Sequence, residues 1–209
     1  MARDSRTIGL PPPTHRSERV ALVILDVVST YDFPSGDRLL RAMKTCTPHI
    51  AAAAARARRA KVPVIYVNDG VGHWRSDFPG VFATCCQHSP EVRKLLEPLR
   101  PGDEDFVILK PRHSAFYGTP LEALLENLRV STLMICGVSA ESCVLATVCD
   151  AHTHGFRMIV PGDSIAGADP RAVRRTLQAI GDAFRARVPA RAASVRFRRG
   201  GLLAGAGAG

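Results

Sequence analysis

The sequence predicts an α/β protein with an open, doubly wound and mostly parallel sheet of about six strands and helices on both faces. Two observations predict this class. Short, continuous apolar segments recur along the chain, as in strands buried on both faces of a parallel sheet. They alternate with segments of helical periodicity, as expected for right-handed connections between parallel strands. With 209 residues and no evident internal repeat, the chain is long enough for one such domain.

Five apolar segments are predicted to be strands. The first is VALVIL at 20–25. The other four lie at 62–67, 106–109, 131–136 and 156–160. Beyond Phe184 the pattern weakens, and Arg187-Val188 and 193–197 are candidates for a last strand.

The predicted helices are marked by their first residues. Thr47-Pro48, Thr119-Pro120 and Asp169-Pro170 each join an N-cap side chain to a proline in the first turn. The helices that begin at these motifs are predicted at 47–60, 121–128 and 171–184. Two more helices are predicted from their periodicity, at 37–46 and, after the fourth strand, at 144–154.

Composition divides the chain into three parts. Residues 1–18 are a polar arm that the prolines at 11–13 keep extended. Residues 19–188 form the predicted folded domain. Residues 189–209 are basic and then rich in glycine and alanine, so we expect a partly disordered tail.

The formal net charge of +9 raises the question of a nucleic-acid partner. Most of this charge comes from arginines beyond the last acidic residue, Asp182, namely Arg185, Arg187, Arg191, Arg196, Arg198 and Arg199. Without them the charge is +3, which is ordinary for an enzyme. No RNA-binding signature, interleaved aromatic residues or zinc-finger spacing is present. A nucleic-acid partner is therefore not expected, although nonspecific binding of anions by the tail stays open.

No apolar run of about 18 residues is present, and the first 20 residues lack the apolar region of a signal peptide. We therefore expect a cytoplasmic protein without membrane contact, whose six cysteines are thiols. Cys85-Cys86 and the nearby His88 lack the usual spacing of zinc ligands, and no second ligand pair follows. Neither a metal nor a cofactor is expected.

Three reactive side chains follow predicted strands. Asp26 ends the first strand, Lys110 ends the third, and Cys143 follows the fourth after a short turn. Each alone has an ordinary explanation: a turn cap, a lysine extending to solvent, or a small buried cysteine. In open α/β sheets, however, ligands bind beyond the carboxyl ends of the strands. Together the three residues predict a site there.

The segment CGVSAESCV at 136–144 places Cys143 just inside a helix. The unpaired N–H groups and the dipole of that helix end are expected to lower the thiol pKa, although Glu141 opposes this effect. Gly137 permits a tight turn whose amides can form an oxyanion hole, and Asp26 can act as the base. The sequence therefore predicts a nucleophilic thiol.

Other cysteine chemistries fit the sequence poorly. A phosphatase loop would need an arginine at Cys149, six residues after the nucleophile. His152 lies on the side of the helix opposite Cys143, so the two residues do not form a dyad. The segment GVSAE lacks the G-x-S-x-G of a serine hydrolase, and a thioredoxin-like pair would need closer cysteines.

The combination resembles the isochorismatase-like family of cysteine hydrolases. The resemblance covers about 20–183 and rests on Asp26, on KPRHSAFYGT from Lys110, and on GVSAESCV followed by TVCDAHTHG. The segments DFPSGDRLL, VNDGVGHWRSDF and VPGDSIAG are similar to those of a bacterial subgroup of the family.

The resemblance implies a Rossmann-like, doubly wound fold, a catalytic triad of Asp26, Lys110 and Cys143, and a homo-oligomer, either a dimer or a tetramer. It also implies a cis peptide bond between Val138 and Ser139. The oxyanion hole would then consist of the N–H groups of Ser139 and Cys143.

Two features depart from the family pattern. Ala140 stands where many members have threonine. The segment 68–73 does not supply the Asp-x-His metal ligands of the nicotinamidase branch, so neither that metal nor nicotinamide is expected. Isochorismatases proper cleave a vinyl ether without the cysteine, so the presence of Cys143 favours the hydrolysis of amides or ureides.

Four further side chains follow strand ends and are predicted to line a substrate pocket, with loop packing as the alternative: Tyr31, Asn68, Trp74 and Tyr117. The predicted function is hydrolysis of the C–N bond of a small amide, ureide or carbamoyl compound through a thioester. Asp26 would move the proton, and Lys110 would orient Asp26 and hold it ionised. A vinyl-ether hydrolase and a non-catalytic protein that binds a small molecule are the alternatives.

Overall fold

A computed structural model describes residues 19–70 and 75–202 of the chain. In these ranges the sheet has seven strands: β1 (Arg19–Leu25), β2 (Val64–Asp69), β3 (Phe106–Lys110), β4 (Val130–Gly137), β5 (Arg157–Ile159), β6 (Phe197–Arg198) and β7 (Gly201–Leu202). The first five are parallel and lie in the order β3-β2-β1-β4-β5. This order runs outward from β1 in both directions, which confirms the predicted doubly wound sheet. The hairpin of β6 and β7 adds an antiparallel contact to the start of β1, so there is one strand more than the predicted six or so.

Six α-helices connect the strands within the described residues: α1 (Gly36–Arg59), α2 (Phe78–His88), α3 (Pro90–Leu96), α4 (Leu121–Asn127), α5 (Leu145–Thr153) and α6 (Pro170–Phe184). The side chains of β1 alternate between two buried clusters, as its strand geometry requires. Leu22 and Ile24 pack with α1, α2 and α3, whereas Val23 and Leu25 pack with α4, α5 and α6. Helices therefore cover both faces of the sheet. None of the helices in 19–70 and 75–202 is both long and apolar enough to cross a membrane.

The two helices predicted at 37–46 and 47–60 are one continuous helix, α1, which contains Pro48 in its interior. An interior proline lacks an N–H and disfavours a helix by about 3 kcal/mol. Buried residues on both sides of it form one apolar stripe, including Met43, Ile50 and Ala53. Burying each large apolar side chain contributes roughly 1.5–3 kcal/mol, so the continuous stripe outweighs the proline. Thr47 is a buried helix residue and not the predicted N-cap.

Two other predicted helix starts are observed close to their predicted positions. The Asp169 carboxylate accepts the N–H of Arg171 at 2.8 Å and is the N-cap of α6. At α4 the cap position is Pro120, and the hydroxyl of Thr119 accepts the N–H of Leu121 at 3.2 Å. Local hydrogen bonding is enough to fix these starts, and for that reason the sequence predicts them.

The part of the expected tail that the structure describes, 189–202, packs on the sheet. Ala192 and Val195 are buried in the same cluster as α1. The Ala192 carbonyl accepts from Arg56 at 2.8 Å, and its N–H donates to the Asp163 carboxylate at 2.8 Å. The candidate strand at 193–197 is instead a 3₁₀ turn, Ala192–Ser194, followed by β6. Arg187, in the other candidate, makes one isolated parallel bridge to Ile159.

Candidate active site

Asp26 lies immediately beyond β1, with φ at 49° in the left-handed region. Its N–H donates to the carbonyl of Val67 at 3.0 Å, which ties it to the neighbouring strand β2. Its Oδ1 accepts the N–H of Asp69 at 2.7 Å. The carboxylate is therefore fixed between the ends of two parallel strands.

Lys110 is the last residue of β3 and is only 3% exposed. Its Nζ lies 2.7 Å from Asp26 Oδ2 and 3.5 Å from Cys143 Sγ. The ammonium also donates to the carbonyl of Arg112 at 3.0 Å. A buried ammonium needs such partners, and here they include both of the other predicted catalytic residues.

The turn after β4 presses closely against the end of β1. Gly137 has φ at 122°, and a Cβ at this position would collide with the carbonyl oxygen of Leu25. The next N–H, that of Val138, donates to the same oxygen at 3.0 Å. The peptide bond between Val138 and Ser139 is cis, at the position implied by the family resemblance. The Ser139 N–H donates to no acceptor among the described residues, so it is available to donate a hydrogen bond to a ligand.

Cys143 lies in a π-helical turn, Ala140–Val144, that precedes α5. The N–H of Val144 donates to the Ser139 carbonyl at 3.1 Å, five residues back. The sequence predicted a simple helix start here. Single π-turns are rare and occur frequently at functional sites.

The environment of Cys143 raises the pKa of its thiol to about 11. Burial is the main cause, and the charge and hydrogen bond of Asp26 add to it, whereas Lys110 and Ser142 act in the opposite direction. The expectation that the helix end lowers this pKa is therefore wrong. At the half-buried Sγ, desolvation disfavours the thiolate more than the nearby positive charge favours it.

The pKa values of the two charged partners of Cys143, Asp26 and Lys110, are also shifted. Burial raises the pKa of Asp26, although Lys110 and the hydrogen bonds from Cys143 and the Asp69 N–H lower it. Burial by itself lowers the pKa of Lys110, but the Asp26 carboxylate more than compensates, and the net direction is upward. Lys110 therefore keeps its charge, while Asp26 is a stronger base than an ordinary aspartate. A carboxyl, an ammonium and a thiol in mutual contact form an arrangement that can transfer a proton from sulfur to oxygen.

Two polar groups near the sulfur were not predicted from the sequence. His113 Nδ1 lies 3.7 Å from Cys143 Sγ, and Ser142 Oγ lies 3.8 Å from it. Neither residue directly follows a strand, which is the feature that marks Asp26 and Lys110 in the sequence. His113 lies three residues beyond β3, in the KPRHS segment that carries the resemblance, so its position in the motif was the available signal.

The four predicted pocket residues differ in their surroundings. Asn68 is buried, and its side-chain amide bonds both the N–H and the carbonyl of Val28. Tyr31 is also buried, and its hydroxyl donates to the Val27 carbonyl at 3.0 Å. Both side chains thus stabilise the loop after β1, as in the alternative of loop packing. Tyr117 is 62% exposed, and Trp74 lies outside the described residues.

Within 19–70 and 75–202, no three His, Cys, Asp or Glu side chains are grouped so that they could hold a metal ion. Cys85 and Cys86 are buried thiols in the cluster around α1, while His88 is exposed.

The Isochorismatase domain model matches residues 20–189. The isochorismatase family protein YaaI of Bacillus subtilis (strain 168) is 34% identical over 146 residues, which cover 70% of this chain and 80% of YaaI. The N-carbamoylsarcosine amidase of Arthrobacter sp is 30% identical over 178 residues, which cover 79% of this chain and 66% of the amidase. A crystal structure of a cysteine hydrolase from Pseudomonas syringae pv. phaseolicola 1448A has a TM-score of 0.67 at 23% identity, over 84% of this chain and 89% of that chain.

The chain therefore belongs to the isochorismatase family, and it is a hydrolase. This confirms the family to which the sequence motifs pointed. The solved structure supports the same α/β fold, with helices on both sides of a mostly parallel sheet.

Proposed function

We propose that the protein hydrolyses the C–N bond of a small amide, ureide or carbamoyl compound through a thioester on Cys143. The observation that carries the proposal is the contact of Cys143 Sγ with the buried ion pair of Asp26 and Lys110. A thiol with a pKa of about 11 needs a base to become a nucleophile near neutral pH, and Asp26 is in contact with it.

In the first half of the reaction, Asp26 takes the thiol proton while the sulfur bonds to the carbonyl carbon. The N–H of Ser139, which has no acceptor among the described residues, and the N–H of Cys143 then donate to the oxyanion. As the tetrahedral adduct collapses, the C–N bond breaks and Asp26 gives its proton to the departing nitrogen. An amine or ammonia leaves, and the acyl group stays on the sulfur.

In the second half, water attacks the thioester and gives a proton to Asp26. The C–S bond breaks, and the sulfur takes that proton back, so that thiol and carboxylate are restored. Lys110 keeps its proton throughout, orients Asp26 and favours the ionised form of the carboxyl group.

The similarity to an amidase named for N-carbamoylsarcosine supports carbamoyl compounds as the first substrates to test. A panel of small amides, ureides and carbamoyl acids, N-carbamoylsarcosine among them, would be assayed for release of ammonia or amine. Wild type, Cys143→Ala and the control Cys149→Ala would be compared, since Cys149 is a partly exposed thiol of α5 without contact to Asp26 in the structure.

We expect turnover by wild type and by Cys149→Ala, and none by Cys143→Ala. Acid quenching during turnover should also trap the acyl group on the peptide that contains Cys143, as seen by mass spectrometry. Equal turnover by wild type and Cys143→Ala would reject the thioester and favour chemistry that does not use the cysteine.

A further inference from the structure

His113 occupies a defined position on the solvent side of the nucleophile. Its Nδ1 lies 3.7 Å from Cys143 Sγ, and the residue is exposed. The loop that carries it is anchored on both sides. Before it, the Arg112 carbonyl accepts from Lys110 Nζ at 3.0 Å; after it, the Ala115 N–H donates to the Thr147 hydroxyl at 3.0 Å. The backbone on both sides of His113 is thus held by hydrogen bonds.

The charged groups on the other sides of the sulfur come from different elements. Asp26, at the end of β1, and Lys110, at the end of β3, contact it from the buried side. In the π-turn itself, the Glu141 carboxylate is directed towards Gly167, where a Cβ would lie 2.6 Å from its Oε2. Next to His113 on the loop, Arg112 is exposed and contributes its carbonyl to Lys110.

Asp26 has both of its carboxylate oxygens engaged, one by the Asp69 N–H and one by Lys110. Asp26 can accept the thiol proton, but as an anion it also disfavours negative charge on the sulfur. On the solvent side, a group that donates to the sulfur and carries positive charge would favour the thiolate. Among the described residues, His113 is the titratable group in contact with the sulfur on that side.

We propose that the protonated imidazole of His113 donates a hydrogen bond from Nδ1 to Cys143 Sγ as the thiolate forms, and is thus a fourth catalytic residue. The thiol proton goes to Asp26, and His113 keeps its own proton, so no atom is gained or lost at His113. The inference rests on the proposed role of Cys143 as the nucleophile.

The experiment measures the thiolate directly and needs no substrate. Wild type, His113→Gln and the control His88→Gln, which alters an exposed histidine at the end of α2, would be treated with methyl methanethiosulfonate from pH 5.5 to 9. Mass spectrometry of the peptides would give separate rates for Cys143 and for Cys149, which serves as an internal reference. Because His113 is exposed, the variant should keep the fold, and circular dichroism and the thermal midpoint would verify this; His113→Ala is a second variant.

We expect Cys143 in His113→Gln to react about tenfold more slowly than in wild type at pH 5.5–6, because hydrogen bonds to charged groups have effects of this order. The Cys149 rates should not change at any pH. A rate ratio near one at all pH values, in a folded variant, would overturn the proposal. Failure of all substrates in the hydrolysis panel would not alter these rates, so the failure of the proposed function is distinguishable from the failure of this inference.

Discussion

The side chain of Asn68, at the end of β2, holds both backbone polar groups of Val28. Its Oδ1 accepts the Val28 N–H at 3.0 Å, and its Nδ2 donates to the Val28 carbonyl at 2.9 Å. Val28 follows Asp26 by two residues, and Asn68 is only 2% exposed. This pair of buried hydrogen bonds therefore fixes the loop that leads away from the candidate base.

Asn68→Ala should lower both stability and turnover. It leaves the N–H and carbonyl of Val28 unsatisfied in the interior, which we expect to reduce the free energy of unfolding by about 2–4 kcal/mol. Turnover should fall as well, because Asp26 would no longer be held in position. Urea unfolding and kcat measurements would test this against Asn127→Ala, which alters an exposed residue at the end of α4. Unchanged stability in Asn68→Ala would contradict the role of Asn68 in stabilising the loop around Val28.

Asp26→Asn should reduce kcat/KM by about 10³-fold or more, because a general base of this kind typically contributes 10²–10⁴-fold. Asp32→Asn is the matched control, since Asp32 is an exposed aspartate on the same loop. The measurement is release of ammonia or amine from the best substrate of the panel. Near-normal turnover in Asp26→Asn would remove the proposed base.

Lys110→Met should destabilise the fold by about 3–5 kcal/mol, because it leaves the Asp26 carboxyl group buried without its ammonium partner. The double variant Asp26→Asn/Lys110→Met removes both charges. It should recover part of the lost stability and remain inactive. Urea unfolding of wild type, the two single variants and the double variant would give a double-mutant cycle. Strictly additive losses in the free energy of unfolding would argue against a stabilising ion pair.

Gly137→Ala and Gly181→Ala should have opposite effects. At Gly137 a methyl group meets the Leu25 carbonyl, and φ is positive, so we expect severe destabilisation or failure to fold. Gly181 lies inside α6, where an added Cβ has ordinary contacts of 3.6 Å or more. Alanine there should raise stability by about 0.5–1 kcal/mol. Thermal unfolding compares the two, and a well-folded Gly137→Ala variant would contradict the close approach of the strands.

Stability should fall in alkali because of the buried thiols. Burial raises the pKa of Cys136 to about 12 and that of Cys46 to about 11, from 9.0 for an ordinary cysteine. The folded state therefore holds these protons more tightly than the unfolded chain does. The resulting stability is fully present below about pH 9 and is lost as the pH rises towards 11 and 12.

The slope for one such thiol is about 1.4 kcal/mol per pH unit in that window. Cys136→Ala should be less stable than wild type at pH 7.5 because it leaves a cavity, but its stability should decline less steeply between pH 9 and 10.5. Urea unfolding at these pH values would show the difference. Parallel curves would mean that Cys136 does not contribute to the alkaline loss.

The sequence predicted the five parallel strands and the helices α1, α4, α5 and α6 from their apolar patterns, but not α2 and α3. The three central site residues follow from a rule of sheet geometry. Parallel strands end at the same edge of the sheet, so residues as distant in sequence as Asp26, Lys110 and Cys143 meet there. The same rule misses a residue in a loop, and His113 was not found by it. Asn68 and Tyr31 follow strand ends as well, but their polar atoms turn back to the loop backbone.

Properties that depend on tertiary burial could not be predicted from the sequence. A proline motif marks a helix start locally, yet Pro48 lies inside α1 because the apolar stripe continues past it. The helix position of Cys143 indicated a lowered pKa, but the surrounding protein desolvates the sulfur and reverses the direction. Segment 189–202 looked like a tail because its arginines are prominent, whereas Ala192 and Val195 anchor it.

The pairing of Gly201 with Arg19 brings the two ends of the described domain together at the amino end of the central strand. Asp26 and the sulfur of Cys143 lie near the other end of that strand, roughly 20 Å away at about 3.3 Å per residue. An affinity tag, a surface tether or a fused second protein attached near 19 or 202 would thus lie at the end of β1 away from the candidate site. The same proximity makes the chain suitable for circular permutation, with a short linker between these two ends and new termini in an exposed loop.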